Sequence, residues 1–206
     1  MASAAKVAKR REDDVTLIAV SKTRSIEEIE PLIAAGQRAF GENRIQEAAA
    51  KWPELKARYP DITLHLIGQL QSNKAQEAVE IFDVIHTVDR PSLVSALGKA
   101  MRDQARHLPC FIQVNIGAEE QKGGCAISAL LELLELAKKE GFEITGLMCL
   151  PPANVEPAPF FALLAELAAR HGLAGLSMGM SGDFATAIML GATHIRVGTA
   201  LFGERD

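Results

Sequence analysis

Short apolar runs alternate with amphipathic stretches along the whole chain. The runs fall at 17–20, 38–40, 63–67, 84–88, 110–115, 144–149, 176–178 and 195–197. The first, Leu17-Ile18-Ala19-Val20, has no polar interruption, the pattern of a strand covered on both faces in a parallel sheet. Helical patterns fill the intervals, at 25–35, 44–59, 72–82, 91–106, 127–140, 157–171 and 182–190. In the fifth of these, Leu130, Leu131, Leu134 and Ala137 recur at helical spacing and give one apolar face. Gly36, Gly141, Gly172 and Gly191 stand where helices should stop, each just before the next strand. Strict alternation of strand and helix implies parallel neighbours joined by right-handed crossovers. Eight strands favour a closed, single-domain α/β fold, a (β/α)8 TIM-type barrel, over an open sheet. The barrel is expected at 15–206, behind a partly mobile polar segment at 1–14.

A length of 206 residues suits one such domain, and 48% hydrophobic with 23% charged residues is ordinary for a globular protein. The net charge is −4, and basic residues are scattered apart from Lys9-Arg10-Arg11, so neither nucleic acid nor an anionic membrane is an expected partner. No apolar run approaches the roughly 18 residues of a membrane span, and no signal-like segment follows Met1, which points to a cytoplasmic protein. Cys110, Cys125 and Cys149 lack the spacing of a metal site and read as reduced, partly buried thiols.

In a barrel the loops after each strand converge on one rim, where sites are built. That rim collects Lys22, Asn43, the stretch from Gly68 to Lys74, the run Ser177-Met178-Gly179-Met180-Ser181-Gly182-Asp183, and Arg196-Val197-Gly198-Thr199. A partly desolvated lysine at the end of the first strand offers its amine as a nucleophile toward an aldehyde. The seventh-strand loop supplies hydroxyls, glycines and a helix start, and Gly198-Thr199 follows the eighth strand. Together they suit a phosphate at the place where barrels often bind one. Arg196 lies inside an apolar strand, where it needs a carboxylate or a ligand acceptor. An aldehyde-reactive lysine, a phosphate cradle and an inward arginine together point to pyridoxal 5′-phosphate. Lys22 would hold the aldehyde as an internal aldimine and Arg196 would meet the ring nitrogen, leaving the ring a weak electron sink.

Several blocks then resemble a known family. They are Ala19-Val20-Ser21-Lys22-Thr23, Phe40-Gly41-Glu42-Asn43-Arg44, His65-Leu66-Ile67-Gly68-Gln69-Leu70-Gln71-Ser72-Asn73-Lys74, Gly146-Leu147-Met148, Ser177-Met178-Gly179-Met180-Ser181-Gly182-Asp183 and Arg196-Val197-Gly198-Thr199-Ala200-Leu201-Phe202-Gly203. They are similar to the pyridoxal phosphate homeostasis proteins (the YggS or PROSC family), single-domain relatives of the alanine racemase N-terminal barrel. The resemblance runs from about residue 15 to the C-terminus. It implies a barrel that binds pyridoxal phosphate covalently, with no firmly established turnover. It maps the cofactor lysine to Lys22, the phosphate stretch to Ser177, Met178, Gly179 and Ser181 with Gly198 and Thr199, the ring-nitrogen arginine to Arg196, and Asn43 to the neighbourhood of the ring substituents. One departure is Leu64, where the family usually carries tryptophan.

Two readings compete at this point. In one, the chain buffers and delivers pyridoxal phosphate within the cell, with apo-enzymes or free amino acids as recipients, and is a monomer. In the other, it is a pyridoxal phosphate-dependent racemase or related enzyme of weak activity. Racemisation needs a base on each face of the substrate, and the racemases similar to this chain take the second base, a tyrosine, from a C-terminal domain not found here. The one tyrosine, Tyr59, belongs to the wrong rim, and of the acids only Glu42 and Asp183 stand near the correct one. His65 and His86 read as core residues, and His107, His171 and His194 precede strands. The carrier is the favoured reading. A third, in which Lys22 is structural and another phosphorylated metabolite binds as in a class I aldolase, lacks the sugar-phosphate contacts it would need.

Overall fold

In the computed structural model, which describes residues 1–203, eight parallel strands close into a barrel in chain order. They are β1 (Thr16–Val20), β2 (Ala39–Glu42), β3 (Thr63–Leu66), β4 (Val84–Val88), β5 (Cys110–Val114), β6 (Ile144–Cys149), β7 (Gly175–Ser177) and β8 (His194–Val197). Closure sets β1 on β8 with Ile18 opposite Arg196. Around the strands run α2 (Ile26–Ala34), α3 (Ile45–Arg58), α4 (Ala75–Ile81), α5 (Pro91–Gln104), α6 (Leu130–Lys139), α7 (Ala158–Arg170) and α8 (Phe184–Met189). The short α1 (Ala2–Val7) precedes the barrel, and the short α9 (Thr199–Phe202) follows β8.

Local chemistry marks both ends of α2. Its first turn is a capping box, in which the Ser25 amide donates to Glu28 Oε2 at 2.8 Å. At its end the chain turns through Gly36 at φ +96°, and the Gly36 and Gln37 amides donate to Ile33 O and Leu32 O. That conformation is open to glycine and strained for other residues. The same pair of bonds recurs at Gly141, Gly172 and Gly191, so four helices return the chain to the strand-entry face by one device.

Strand alternation divides the interior in two. Outward residues such as Phe40, Leu64, Leu66, Ile112 and Leu147 join Ile29, Trp52, Leu97 and Phe161 of the helices in the main core. Leu64 thus occupies that layer fully buried and points away from the mouth. Inside the barrel lies a separate apolar cluster of Val84, Phe111 and Met148, with Leu150 above it. The buried His65, His86, Ser177 and Arg196 share that inner space.

The elements depart from the sequence expectation in two places. The helices expected at 72–82 and 127–140 begin as 3-10 turns, Ser72–Lys74 and Ile127–Ala129. The segment at 1–14, expected to be partly mobile, carries α1, which packs on α8 and buries Ala5. Arg10 supports the docking: its guanidinium donates to Ile188 O at 3.0 Å, in the last turn of α8, and to Ala192 O at 2.7 Å, in the turn that follows. His194, expected ahead of its strand, heads β8 and turns its ring into the barrel. Among the described residues, no helix is long and apolar enough to cross a membrane.

Candidate functional site

A cavity of about 370 Å³ opens at the carboxyl ends of the strands. That is enough for a small cofactor. Val20 and Lys22 line it because β1 alternates, with Ile18, Val20 and Lys22 turned inward and Ser21 outward. Asn43 enters from the end of β2, Ile67 from β3 and Leu150 from β6. Ser181 and Gly182 contribute from the loop after β7, and Gly198, Thr199 and Phe202 from the end of β8 and α9. The first amides of a helix such as α9 have no partner within the helix, which favours an anion beside Gly198 and Thr199.

Arg196 forms the floor of this cavity. It is 4% exposed, and its guanidinium donates from Nη1 to Ser177 Oγ at 2.7 Å and from Nη2 to Cys149 O at 2.9 Å. Both acceptors are neutral. Burial pulls its pKa below the usual arginine value, while Cys149 and Asp183 act in the other direction. A chain of bonds continues below it, from Ser177 Oγ to His86 Nδ1 at 2.9 Å and from His86 Nε2 to His65 Nδ1 at 2.9 Å. Arginine can only donate, so Ser177 accepts from it and donates to His86. That assignment makes His86 the Nε2–H tautomer, donating to His65, and leaves His65 Nε2 without a partner among the described residues. Burial holds all three inner histidines neutral: His65 is lowered to about 3, His194 to about 4, and His86 well below its ordinary value.

Six of the residues expected at the site line the cavity: Lys22, Asn43, Ser181, Arg196, Gly198 and Thr199. The structure takes the other three elsewhere. Ser177 lies below the cavity as the anchor of Arg196. Met178 turns outward into the main core. Gly179, at φ +95°, forms the turn that leads to Ser181, and a Cβ there would sit 2.6 Å from that of Ala187. Two expected acids are committed as well. Glu42 lies behind the barrel wall, fully buried, accepting from Ser21 Oγ at 2.7 Å and Trp52 Nε1 at 3.0 Å. Asp183 Oδ1 accepts from the Met180 amide at 2.6 Å. Sequence reasoning missed Arg24 and Phe202, which line the cavity with the guanidinium 5.5 Å from the ring centroid. The signal for Arg24 was its position two residues beyond Lys22.

The alanine racemase N-terminal domain family matches residues 2–206. A curated relative from Vibrio alginolyticus, named pyridoxal phosphate homeostasis protein, is 40% identical over 96% of this chain and 89% of its own. The chain belongs to the pyridoxal phosphate homeostasis proteins. A solved member, PipY of Synechococcus elongatus without PLP, is 41% identical, covers 97% of each chain and superposes with a TM-score of 0.87. The same protein has been solved with PLP bound, at a TM-score of 0.82 and 40% identity over 97% of each chain. An alanine racemase of Clostridium difficile, 14% identical, covers 98% of this chain and 55% of its own at a TM-score of 0.75, a likeness of fold alone.

Proposed function

We propose that this chain binds pyridoxal 5′-phosphate in the barrel mouth, holds it covalently through Lys22, and serves intracellular homeostasis of the cofactor by buffering and delivering it. The observation that carries this reading is the pairing, in one cavity, of Lys22 with a buried guanidinium whose described hydrogen bonds all go to neutral atoms. A buried cation whose hydrogen-bond acceptors are all neutral is costly, and an anionic ligand relieves that cost. The PLP-bound PipY structure supports the same assignment by relationship.

The residues fit the group. Ser181, Gly182, Gly198 and Thr199 would hold its phosphate, Asn43 would face the ring substituents, Arg196 the ring nitrogen, and the Lys22 amine the aldehyde. When bound, pyridoxal phosphate supplies an aldehyde that condenses with a primary amine, releasing water, and a ring able to draw electrons from that carbon. Arg196 donates hydrogen bonds and keeps its own proton, so facing the ring nitrogen it would leave that nitrogen unprotonated and restrain the withdrawal. Among the described residues, the cavity wall holds no histidine, carboxylate, thiol or phenol that would act as a second base. Tyr59 ends α3 at the far side of the barrel. A site with one amine suits capture and release better than racemisation, which needs a base on each face.

The test is visible absorbance of the protein mixed with pyridoxal phosphate, then borohydride reduction and peptide mass mapping. A reduced adduct confined to Lys22 is expected, and Lys22→Ala should abolish it while weaker, noncovalent binding persists. An adduct spread over surface lysines, or an unchanged spectrum in Lys22→Ala, overturns the assignment. Assay of the same sample with alanine then measures turnover.

A further inference from the structure

The turn that carries Lys22 holds a conformation its own residues resist. Thr23, immediately after the lysine, sits at φ +65°, a left-handed conformation that is unfavourable for a β-branched residue. Such a conformation persists where the surroundings over-determine it, and these turns cluster at functional sites. Here the surroundings lie behind the barrel wall. The Lys51 ammonium, on α3 and 7% exposed, donates to Ser21 O at 2.9 Å and Arg24 O at 3.0 Å, the carbonyls that bracket Lys22 and the strained Thr23. Its charge is neutralised by Glu42 Oε1 at 2.8 Å, itself fixed by Ser21 and Trp52. One helical turn earlier, Glu47 Oε1 accepts from the Thr23 amide at 2.5 Å.

The geometry points to Lys51 as a positioning residue for Lys22: by clasping Ser21 O and Arg24 O from behind, it holds Thr23 left-handed and so aims the Lys22 amine into the cavity. The alternative role for a buried ion pair, plain stabilisation, gives no reason for both carbonyls flanking this one turn to be its acceptors. A hydrophobic pair of similar volume would stabilise as well. Lys51 touches neither cofactor nor reacting atoms, so its effect passes through the backbone alone.

This inference rests on the reading of Lys22 given above, and the experiment separates the two. Binding of pyridoxine 5′-phosphate, which carries a hydroxymethyl group in place of the aldehyde, measures the cradle without the covalent step. The rate of borohydride-trapped adduct at Lys22 with pyridoxal phosphate measures the aim of the amine. Lys51→Met should slow trapping about tenfold or more, by misplacing the nucleophile, while pyridoxine phosphate affinity stays unchanged. Adding Thr23→Gly, which lets the turn adopt its conformation without a clasp, should recover much of the rate. Should Lys51→Met fail to fold because Glu42 is left uncompensated, Glu42→Gln/Lys51→Met carries the same test with the charge removed from both sides. Amide exchange at residues 22–24 in protein without cofactor should speed up in the same variants. Unchanged trapping, a parallel loss of rate and pyridoxine phosphate affinity, or no recovery with Thr23→Gly overturns the positioning role. Absence of a Lys22 adduct in the parent protein instead overturns the cofactor-lysine reading, and this inference with it.

Discussion

Lowering the pH from 7.5 to 5 should remove a large part of this protein's stability through three histidines inside the barrel. His65, His86 and His194 all have folded pKa values below the ordinary 6.5, chiefly because burial penalises the charged ring. An unfolded chain binds a proton at each as pH falls below about 6.5, whereas the folded chain takes up none until about 4 for His194 and about 3 for His65. Their contribution is therefore present above pH 6.5 and is lost as pH falls toward those folded values. Each proton taken up on unfolding tilts stability by about 1.4 kcal/mol per pH unit, so three give a slope of about 4 near pH 5. Accumulated from pH 7.5, the loss is about 6 kcal/mol, comparable with the whole stability of many domains. The five acids whose pKa values are lowered, Asp14, Glu27, Glu28, Asp61 and Asp103, titrate below this window. Urea titration followed by fluorescence of the single, fully buried Trp52 reads the effect directly. His194→Gln should cut the slope by about a third. A slope of one proton or less between pH 6 and 5 would refute the claim that these rings are buried and neutral.

Two further substitutions test the support of the site. Ser177→Ala strips Arg196 Nη1 of its acceptor and should cost about 1–3 kcal/mol in urea titration, with weaker pyridoxine phosphate binding as the guanidinium loses its anchor. Gly68→Ala would put a Cβ 2.1 Å from Asn43 O and 2.6 Å from its Cα, all backbone. It should cost about 3 kcal/mol or more and weaken ligand affinity by displacing Asn43 from the cavity wall.

The strands and their order were legible because short, mostly apolar runs alternated with helical patterns and four of the returns passed through a glycine. Lys22 and Arg196 were legible for a related reason: a charge at the end of, or within, such a run must face something special. The loop after β7 was read too uniformly. Its residues alternate in direction, so Ser177 and Met178 point inward and outward before Gly179 turns the chain, and only from Met180 does it meet the cavity. The clasp by Lys51 was invisible because nothing in a polar helix sequence says that one lysine reaches back beneath another. Arg10 escaped notice similarly, since a basic N-terminal stretch reads as solvated until carbonyls at and just beyond the end of α8 are seen to need donors.

Lys22 follows the first strand and Arg196 lies on the last, and both line the cavity at the seam where β1 pairs with β8. During synthesis the amine leaves the ribosome early and waits through the rest of the barrel for its counterpart. A chain halted before β8 has a lysine but no floor beneath it, however well its earlier strands have paired. Under the reading proposed for Lys22, an adduct held in the cradle, unlike one on any exposed lysine, would report that the first and last strands had paired.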